Sequence, residues 1–159
     1  MKPLVYVETS IFSFYFDERS SPLIAANRYW TREWWDEKRG DYDCVVGASV
    51  ILELDRGGLP HRGEALALAG TLKSLAASDE AERIAAVYVA HRLMPADPLG
   101  DASHLALASL AGCDYLLTWN CRHLANANKF GHIETINRRL GLAVRHLVTP
   151  QQLLGKNAP

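Results

Sequence analysis

Short apolar segments alternate with segments of helical character along almost the whole chain. Three of the apolar segments cover residues 3–7, 42–47 and 114–118. Short runs of this kind are typical of strands that are buried on both faces of a parallel sheet. Strands that alternate with helices favour a parallel sheet covered by helices on both sides. The predicted fold is therefore a three-layer α/β/α sandwich whose central parallel sheet has four or five strands.

The other predicted elements follow from capping residues, glycine stops and helical periodicity. Helices are expected over residues 11–16, 21–39, 50–55, 61–76, 78–93, 97–111 and 123–140, a last strand over 142–147 and a final helical turn from 149. Asp97 and Pro98 predict the start of the sixth of these helices, because an acidic cap and a proline both suit a first helical turn. Residues 74–77 remain open between a helix end and a very short edge strand.

The length and charge of the chain limit the classes of function. A chain of 159 residues suits one domain, predicted over residues 1–154, with a flexible tail over 155–159. The net charge of −1 argues against non-specific coating of nucleic acid, although a local basic groove remains compatible with it. The sequence has neither an apolar run of membrane-spanning length nor a signal-peptide pattern. We therefore expect a cytoplasmic protein without membrane association, whose cysteines are free thiols.

Four oxygen-bearing side chains fall at the ends of predicted strands or on the helices that follow them. They are Glu8, Glu53, Asp101 and Asn120. In a parallel sheet with right-handed crossovers these positions meet at one edge, where ligands bind in open α/β folds. The sequence therefore predicts that acids distant in the chain come together when the sheet forms.

Several carboxylates at one place repel each other unless a cation neutralises them. Oxygen ligands without a histidine or cysteine spacing suit Mg²⁺ or Mn²⁺. Such an ion can bind a phosphodiester oxygen and stabilise the charge that develops during in-line displacement. The arrangement therefore favours hydrolysis of a phosphodiester bond.

Three segments resemble the PIN-domain proteins, of the kind found as VapC-type toxins in toxin–antitoxin pairs. The segments are VYVETSIFSFYF, ILELDRGG and GDASHLALASLAGCDYLLTWNCRHLAN, in that order across nearly the whole chain. The resemblance implies an α/β/α sandwich and a metal-dependent endoribonuclease that uses Mg²⁺ or Mn²⁺. It also implies an RNA substrate, a small antitoxin protein as partner and a homodimer.

The resemblance assigns roles to the four oxygen-bearing side chains. Glu53 and Asp101 match two of the family's acids, and Glu8 stands where the family usually has an aspartate. Asn120 stands where many members have a fourth aspartate. The resemblance thus implies catalytic roles for all four, with Glu8, Glu53 and Asp101 as metal ligands. Glu8 is one methylene longer than the usual residue and Asn120 lacks a charge, so metal choice and rate are expected to differ from the family's.

Five further residues are candidates for substrate binding, each of which also has a structural explanation. The hydroxyl groups of Thr9, Ser10 and Thr118 can contact substrate, or can cap a helix and end a strand. Arg56 and Arg122 flank the acids in sequence and are candidate phosphate contacts, although exposed arginines are common.

Histidine and tryptophan side chains each allow a structural and a functional interpretation. His104 and His123 can contact RNA or transfer protons, but a scattered histidine is more often structural. Trp119 can stack on a base or pack at the sheet edge. A stripe with helical spacing, made of Leu23, Ala26, Trp30 and Trp34, predicts core packing, and a partner-binding groove is the less favoured interpretation.

Two functions from different classes therefore remain. One is a metal-dependent endoribonuclease silenced by an antitoxin. The other is a catalytically weak PIN-like scaffold that binds RNA or a protein, because Glu8 and Asn120 depart from the family pattern.

Overall fold

A computed structural model of the chain describes residues 1–97, 100–144 and 146–155. Five strands in these ranges form one sheet in which every pairing is parallel. The strands are β1 (Leu4–Val7), β2 (Asp43–Gly47), β3 (Lys73–Leu75), β4 (Tyr115–Leu117) and β5 (His146–Val148). Their order across the sheet is β3-β2-β1-β4-β5. The predicted parallel sheet is confirmed.

Eight α-helices connect and cover the strands in the described part of the chain. They are α1 (Thr9–Tyr15), α2 (Pro22–Glu33), α3 (Ala48–Arg56), α4 (Arg62–Ala69), α5 (Asp79–Ala90), α6 (Asp101–Leu110), α7 (Ala127–Arg139) and α8 (Pro150–Leu154). Val5, Tyr6 and Val7 are fully buried. Because successive strand residues point to opposite faces, helices must cover both sides of β1. None of the described helices is long and apolar enough to cross a membrane.

The strand order creates a switch point beside β1. The chain builds β1, β2 and β3 in one direction across the sheet and then adds β4 and β5 on the other side of β1. Tyr6 of β1 pairs with Val45 on one side and Leu116 on the other. Ligands of open α/β sheets bind at the carboxyl ends of the strands where the order reverses. The residues that follow β1 and β4 therefore lie at the natural binding position of this fold.

The region between α3 and α5 differs from prediction, because residues 61–76 are not one helix. Helix α4 ends at Ala69, and Lys73–Leu75 form the edge strand β3. Ser74 pairs with Val46 of β2. Pairing with an existing strand outweighs the helical preference of this alanine- and leucine-rich segment. The short edge strand left open at residues 74–77 is thus present, shifted towards the N-terminus.

Other boundaries also depart from the sequence prediction, and those of α6, α7 and β5 differ for identifiable reasons. Helix α6 begins at Asp101 with Gly100 as its N-cap, not at Asp97. Asp97 precedes the helix, and its carbonyl accepts the Gly100 N–H at 3.1 Å, whereas Pro98 lies outside the described residues. Helix α7 begins only at Ala127, because residues 120–125 form turns closed by backbone bonds to Asn120. The last strand is shorter than residues 142–147 and starts at His146.

The predicted core stripe on α2 is wrong for most of its members. Trp34 is fully buried, but Leu23 is 70% exposed and Ala26 is also exposed. The helix changes at its end into a π-helical turn, Trp34–Lys38. Neighbouring residues of this wider turn are separated by a smaller angle, so Trp34 and Trp35 both enter the core. The start of α2 therefore lies on the surface and its end anchors the helix.

Candidate metal and active site

Glu8 lies directly after β1 and caps the N-terminus of α1. It therefore lies at the switch point of the sheet. Its side chain is buried, and Oε2 accepts three hydrogen bonds. The donors are the Ser10 N–H at 3.1 Å, the Ser10 hydroxyl at 2.5 Å and the Thr118 hydroxyl at 2.7 Å. One carboxylate oxygen is therefore saturated by the protein, and Oε1 is the oxygen that Glu8 can offer to a ligand.

The two hydroxyl groups also connect β1 to the turn after β4. Ser10 Oγ accepts the Trp119 N–H at 2.8 Å, and Thr118 Oγ1 accepts the Asn120 N–H at 2.9 Å. Each hydroxyl thus donates to Glu8 and accepts from the backbone. Ser10 and Thr118 hold the Glu8 carboxylate in place, whereas Thr9 is buried and its Oγ1 has no hydrogen-bond partner among the described residues.

His104 belongs to helix α6, is buried and faces Glu8. Its Nε2 is hydrogen-bonded to Glu53 Oε1 on α3 and lies 3.9 Å from Glu8 Oε1. Its Nδ1 lies 2.8 Å from the hydroxyl oxygen of Tyr6 and 3.4 Å from that of Ser49. Burial alone would lower the pKa of His104, but the Glu53 hydrogen bond and the nearby carboxylates outweigh it and raise that pKa.

These side chains form a group that can hold a cation. Among the described residues, Glu8, Glu53 and His104 each direct one ligand atom to within 4.8 Å of the other two. Two carboxylate oxygens and one imidazole nitrogen suit a divalent ion in charge and in chemistry. The Glu53 side chain is 28% exposed, so the group is open to solvent on that side. The donor set therefore fits the divalent metal expected from the sequence.

Asp101 and Asn120 form a second pair beside this group. The side-chain N–H of Asn120 donates to Asp101 Oδ1 at 2.7 Å, and Asn120 Oδ1 accepts the His123 N–H at 3.0 Å. Burial, followed by the charge of Glu8, raises the pKa of Asp101. Asp101 is not one of the three described residues whose ligand atoms converge. It is near enough for the charge of Glu8 to raise its pKa. Asn120 thus supplies a hydrogen-bond donor where a carboxylate would repel Asp101.

The predicted cationic residues are exposed and belong to segments that also carry site residues. Arg56 ends α3 one turn after Glu53, on the same face of the helix, and is exposed. Arg122 is exposed in the turn after Asn120. Lys129, which sequence reasoning did not single out, has its Nζ 3.3 Å from Nδ1 of His123. Partial burial lowers the pKa of Lys129, and the charge of Asp101 opposes this shift.

Sequence reasoning undervalued His104 and missed Tyr6 and Ser49. One signal was available, because His104 follows Asp101 by three residues and therefore shares its helix face. Nothing in the sequence marks Tyr6 or Ser49, since a tyrosine within a strand is ordinarily core. Trp119 packs against Phe14 and donates its indole N–H to Thr31 at 2.7 Å, which fits the packing interpretation.

No protein-family model and no curated protein matches this sequence. Among solved structures, it is similar to Mycobacterium tuberculosis VapC20, which is described as a sarcin-ricin loop cleaving toxin. The TM-score is 0.57, with 16% sequence identity, over 75% of this chain and 92% of VapC20. The chain has a VapC-like PIN fold. The likeness confirms the predicted fold, and at this identity it extends to the fold alone.

The Asn120 contact in this PIN fold leads to a prediction about stability. Replacing Asn120→Asp removes the hydrogen bond and sets a second carboxylate against Asp101, whose Oδ1 lies 2.7 Å from the present donor. We expect the metal-free protein to lose about 1–3 kcal/mol of unfolding free energy, because a partly buried group loses its partner. Thermal unfolding should show a lower Tm, and added MnCl₂ should raise the Tm of the variant more than that of the wild type.

The matched control is Asn128→Asp, in the exposed first turn of α7. An acid there complements the helix dipole, so its Tm should be unchanged or slightly higher. A metal-free Asn120→Asp protein as stable as the wild type would contradict the contact with Asp101.

Proposed function

We propose that this protein is a divalent-metal-dependent endoribonuclease, the toxin of a type II toxin–antitoxin pair. The observation that carries the proposal is the convergence of Glu8 and Glu53 with a buried histidine at the switch point of a VapC-like PIN fold. A buried, mostly carboxylate group of this kind is stable only with protons or a cation to balance it. The fold is shared with VapC20, which is described as cleaving the sarcin-ricin loop.

The side chains of the site have different roles in this reaction. Glu8 and Glu53 bind the ion, and Ser10 and Thr118 hold Glu8 in the orientation that presents Oε1. When bound, Mg²⁺ or Mn²⁺ polarises a phosphodiester oxygen and neutralises the charge that develops on it. Asp101 is a further proposed ligand.

Asp101 is also the group that orients the attacking water. Asn120 engages its Oδ1 through the side-chain N–H, which fixes the plane of the carboxylate. The other oxygen, Oδ2, can then accept a hydrogen bond and a proton from water. Asn120 therefore acts as a positioning residue for Asp101.

RNA is the proposed substrate, bound through its phosphates. The chain has a net charge of only −1, so binding depends on local cations. Arg56, Arg122 and Lys129 are the proposed phosphate contacts, with Thr9 as a further substrate contact. A small antitoxin protein and a second copy of the chain are the proposed partners, in the cytoplasm.

A second candidate function is a PIN scaffold that binds RNA or a protein and cleaves poorly. The observation in its favour is Asn120, whose N–H satisfies Asp101 without any metal. In that case the site would bind a divalent ion weakly or not at all.

The experiment is a cleavage assay of the purified chain on total RNA, with sequencing of the cut ends. We expect cleavage at a restricted set of sites with MnCl₂ and none with EDTA, because the metal stabilises the developing charge. Calorimetric titration with MnCl₂ runs in parallel. Binding without cleavage would support the scaffold, and neither binding nor cleavage would overturn the metal-dependent enzyme.

A further inference from the structure

We infer that the imidazole of His104 is itself a ligand of the metal, and that the site therefore binds Mn²⁺ and Co²⁺ more tightly than Mg²⁺. The inference depends on the proposed function for the presence of a catalytic ion. It differs from the oxygen-only site that the sequence predicts, because it makes a buried nitrogen part of the coordination shell.

The first observation is the direction in which the His104 ring points. The residue is 1% exposed, yet its Nε2 does not face apolar core. It faces Oε1 of Glu53 and Oε1 of Glu8, and the three atoms come from α6, α3 and the cap of α1. An ion that both carboxylates bind through these oxygens lies next to Nε2 and replaces the proton that Nε2 now shares with Glu53. That proton is released to solvent when the metal binds.

The second observation is what holds the other side of the ring. Nδ1 lies 2.8 Å from the Tyr6 hydroxyl oxygen and 3.4 Å from the Ser49 hydroxyl oxygen. A Cβ at Gly47 would collide with this hydroxyl, so the position requires glycine to leave room for it. Metal-ligating histidines donate their other ring N–H to such an acceptor, which leaves the lone pair on the metal side. Tyr6 and Ser49 supply that support here.

The third observation is that the Glu8 carboxylate is held in place and cannot turn away from the ring. Three donors hold Oε2 of Glu8, so only Oε1 is left for an ion. Glu53 is partly exposed and gives the ion a way in. The site thus offers a mixed set of oxygen and nitrogen ligands in a fixed orientation.

Mixed ligands determine which cations bind well. Mg²⁺ prefers oxygen ligands and near-ideal octahedral geometry, whereas imidazole suits first-row transition metals. Affinity for a given nitrogen- and oxygen-containing site rises from Mn²⁺ to Co²⁺. We therefore expect Co²⁺ to bind more tightly than Mn²⁺, and both more tightly than Mg²⁺.

The test uses electron paramagnetic resonance of the full-length protein loaded with MnCl₂, together with calorimetric titrations of MnCl₂, CoCl₂ and MgCl₂. Wild type should show a ¹⁴N coupling from a directly bound imidazole. His104→Gln should lose this coupling and bind Mn²⁺ at least about tenfold more weakly, since even the loss of an outer support costs roughly 10–100-fold. His132→Gln, exposed on α7, is the matched control and should keep both the coupling and the affinity.

A second variant covers the case in which His104→Gln fails to fold. Tyr6→Phe keeps the imidazole and both carboxylates but removes the hydroxyl oxygen that lies 2.8 Å from Nδ1. It should retain the ¹⁴N coupling and lose about 10–100-fold in Mn²⁺ affinity. Wild type that binds Mn²⁺ without a ¹⁴N coupling would overturn the inference and leave the metal enzyme standing. Wild type that binds no divalent ion would overturn both.

Discussion

Replacing Asp101→Asn is expected to lower Mn²⁺-dependent RNA cleavage by at least about 10²-fold. The amide keeps an oxygen for the Asn120 N–H, so the local geometry is preserved. It cannot accept a proton from water and carries no charge towards the metal, and the loss of one such group typically costs about 10²–10³ in rate. The measurement is the initial rate of cleavage at saturating MnCl₂.

The same substitution is expected to stabilise the metal-free protein. Burial and the charge of Glu8 raise the pKa of Asp101 above its ordinary value of 3.8. A group with a raised pKa in the folded state favours folding when protonated and opposes it once ionised. Asp101→Asn should therefore have the higher Tm near pH 7, and its advantage should shrink as the pH falls towards 3.8.

Asp55→Asn is the matched control, because Asp55 is exposed and pairs with Arg62 on the surface. It should retain cleavage and show little change in Tm. Unchanged cleavage in Asp101→Asn would remove Asp101 from the mechanism. A variant with lower activity and lower Tm would point to damage to the fold instead of lost chemistry.

Replacing Trp34→Ala is expected to lower the free energy of unfolding by about 3–5 kcal/mol, because the largest kind of buried ring leaves a cavity. Trp34 is fully buried and its ring lies 6.2 Å from that of Trp35 and 5.9 Å from that of Tyr42. Urea denaturation followed by circular dichroism measures the change. Trp34→Phe should cost less, since the indole N–H has no hydrogen-bond partner among the described residues.

Trp30→Ala is the control on the same helix. Trp30 lies one turn earlier and is only half-buried. Its replacement should cost clearly less than that of Trp34. Equal costs would mean that the stripe predicted from helical spacing packs as a unit, contrary to the change into a π-helical turn at Trp34.

The sheet could be predicted because its central strands are continuous apolar segments. Val5, Tyr6 and Val7 are buried on both faces, so the segment has to be apolar throughout. The edge strand β3 could not be predicted with its correct bounds, because Lys73 and Ser74 are exposed and polar. Its strand structure depends on pairing with β2. The local sequence of β3 contains no sign of this pairing.

Two acids that converge in the candidate site, Glu8 and Glu53, could be singled out from the sequence, but their partners could not. Glu8 stands out because a carboxylate directly follows a buried strand. His104 bonds to Glu53, 51 positions away, and to Tyr6, 98 positions away. Contacts between residues so far apart in sequence produce no recognisable motif. A histidine on an apolar helix also looks the same in sequence whether its role is structural or functional.

The saturated oxygen of Glu8 has a consequence for how related chains can vary. An aspartate at this position would withdraw the carboxylate by one methylene from the hydroxyl groups of Ser10 and Thr118. The hydrogen bonds therefore couple the choice of residue at these three positions, although Thr118 lies 110 positions from Glu8. A chain with aspartate at this position is therefore expected to differ at Ser10 or Thr118 as well, because their hydroxyl groups would no longer reach the carboxylate.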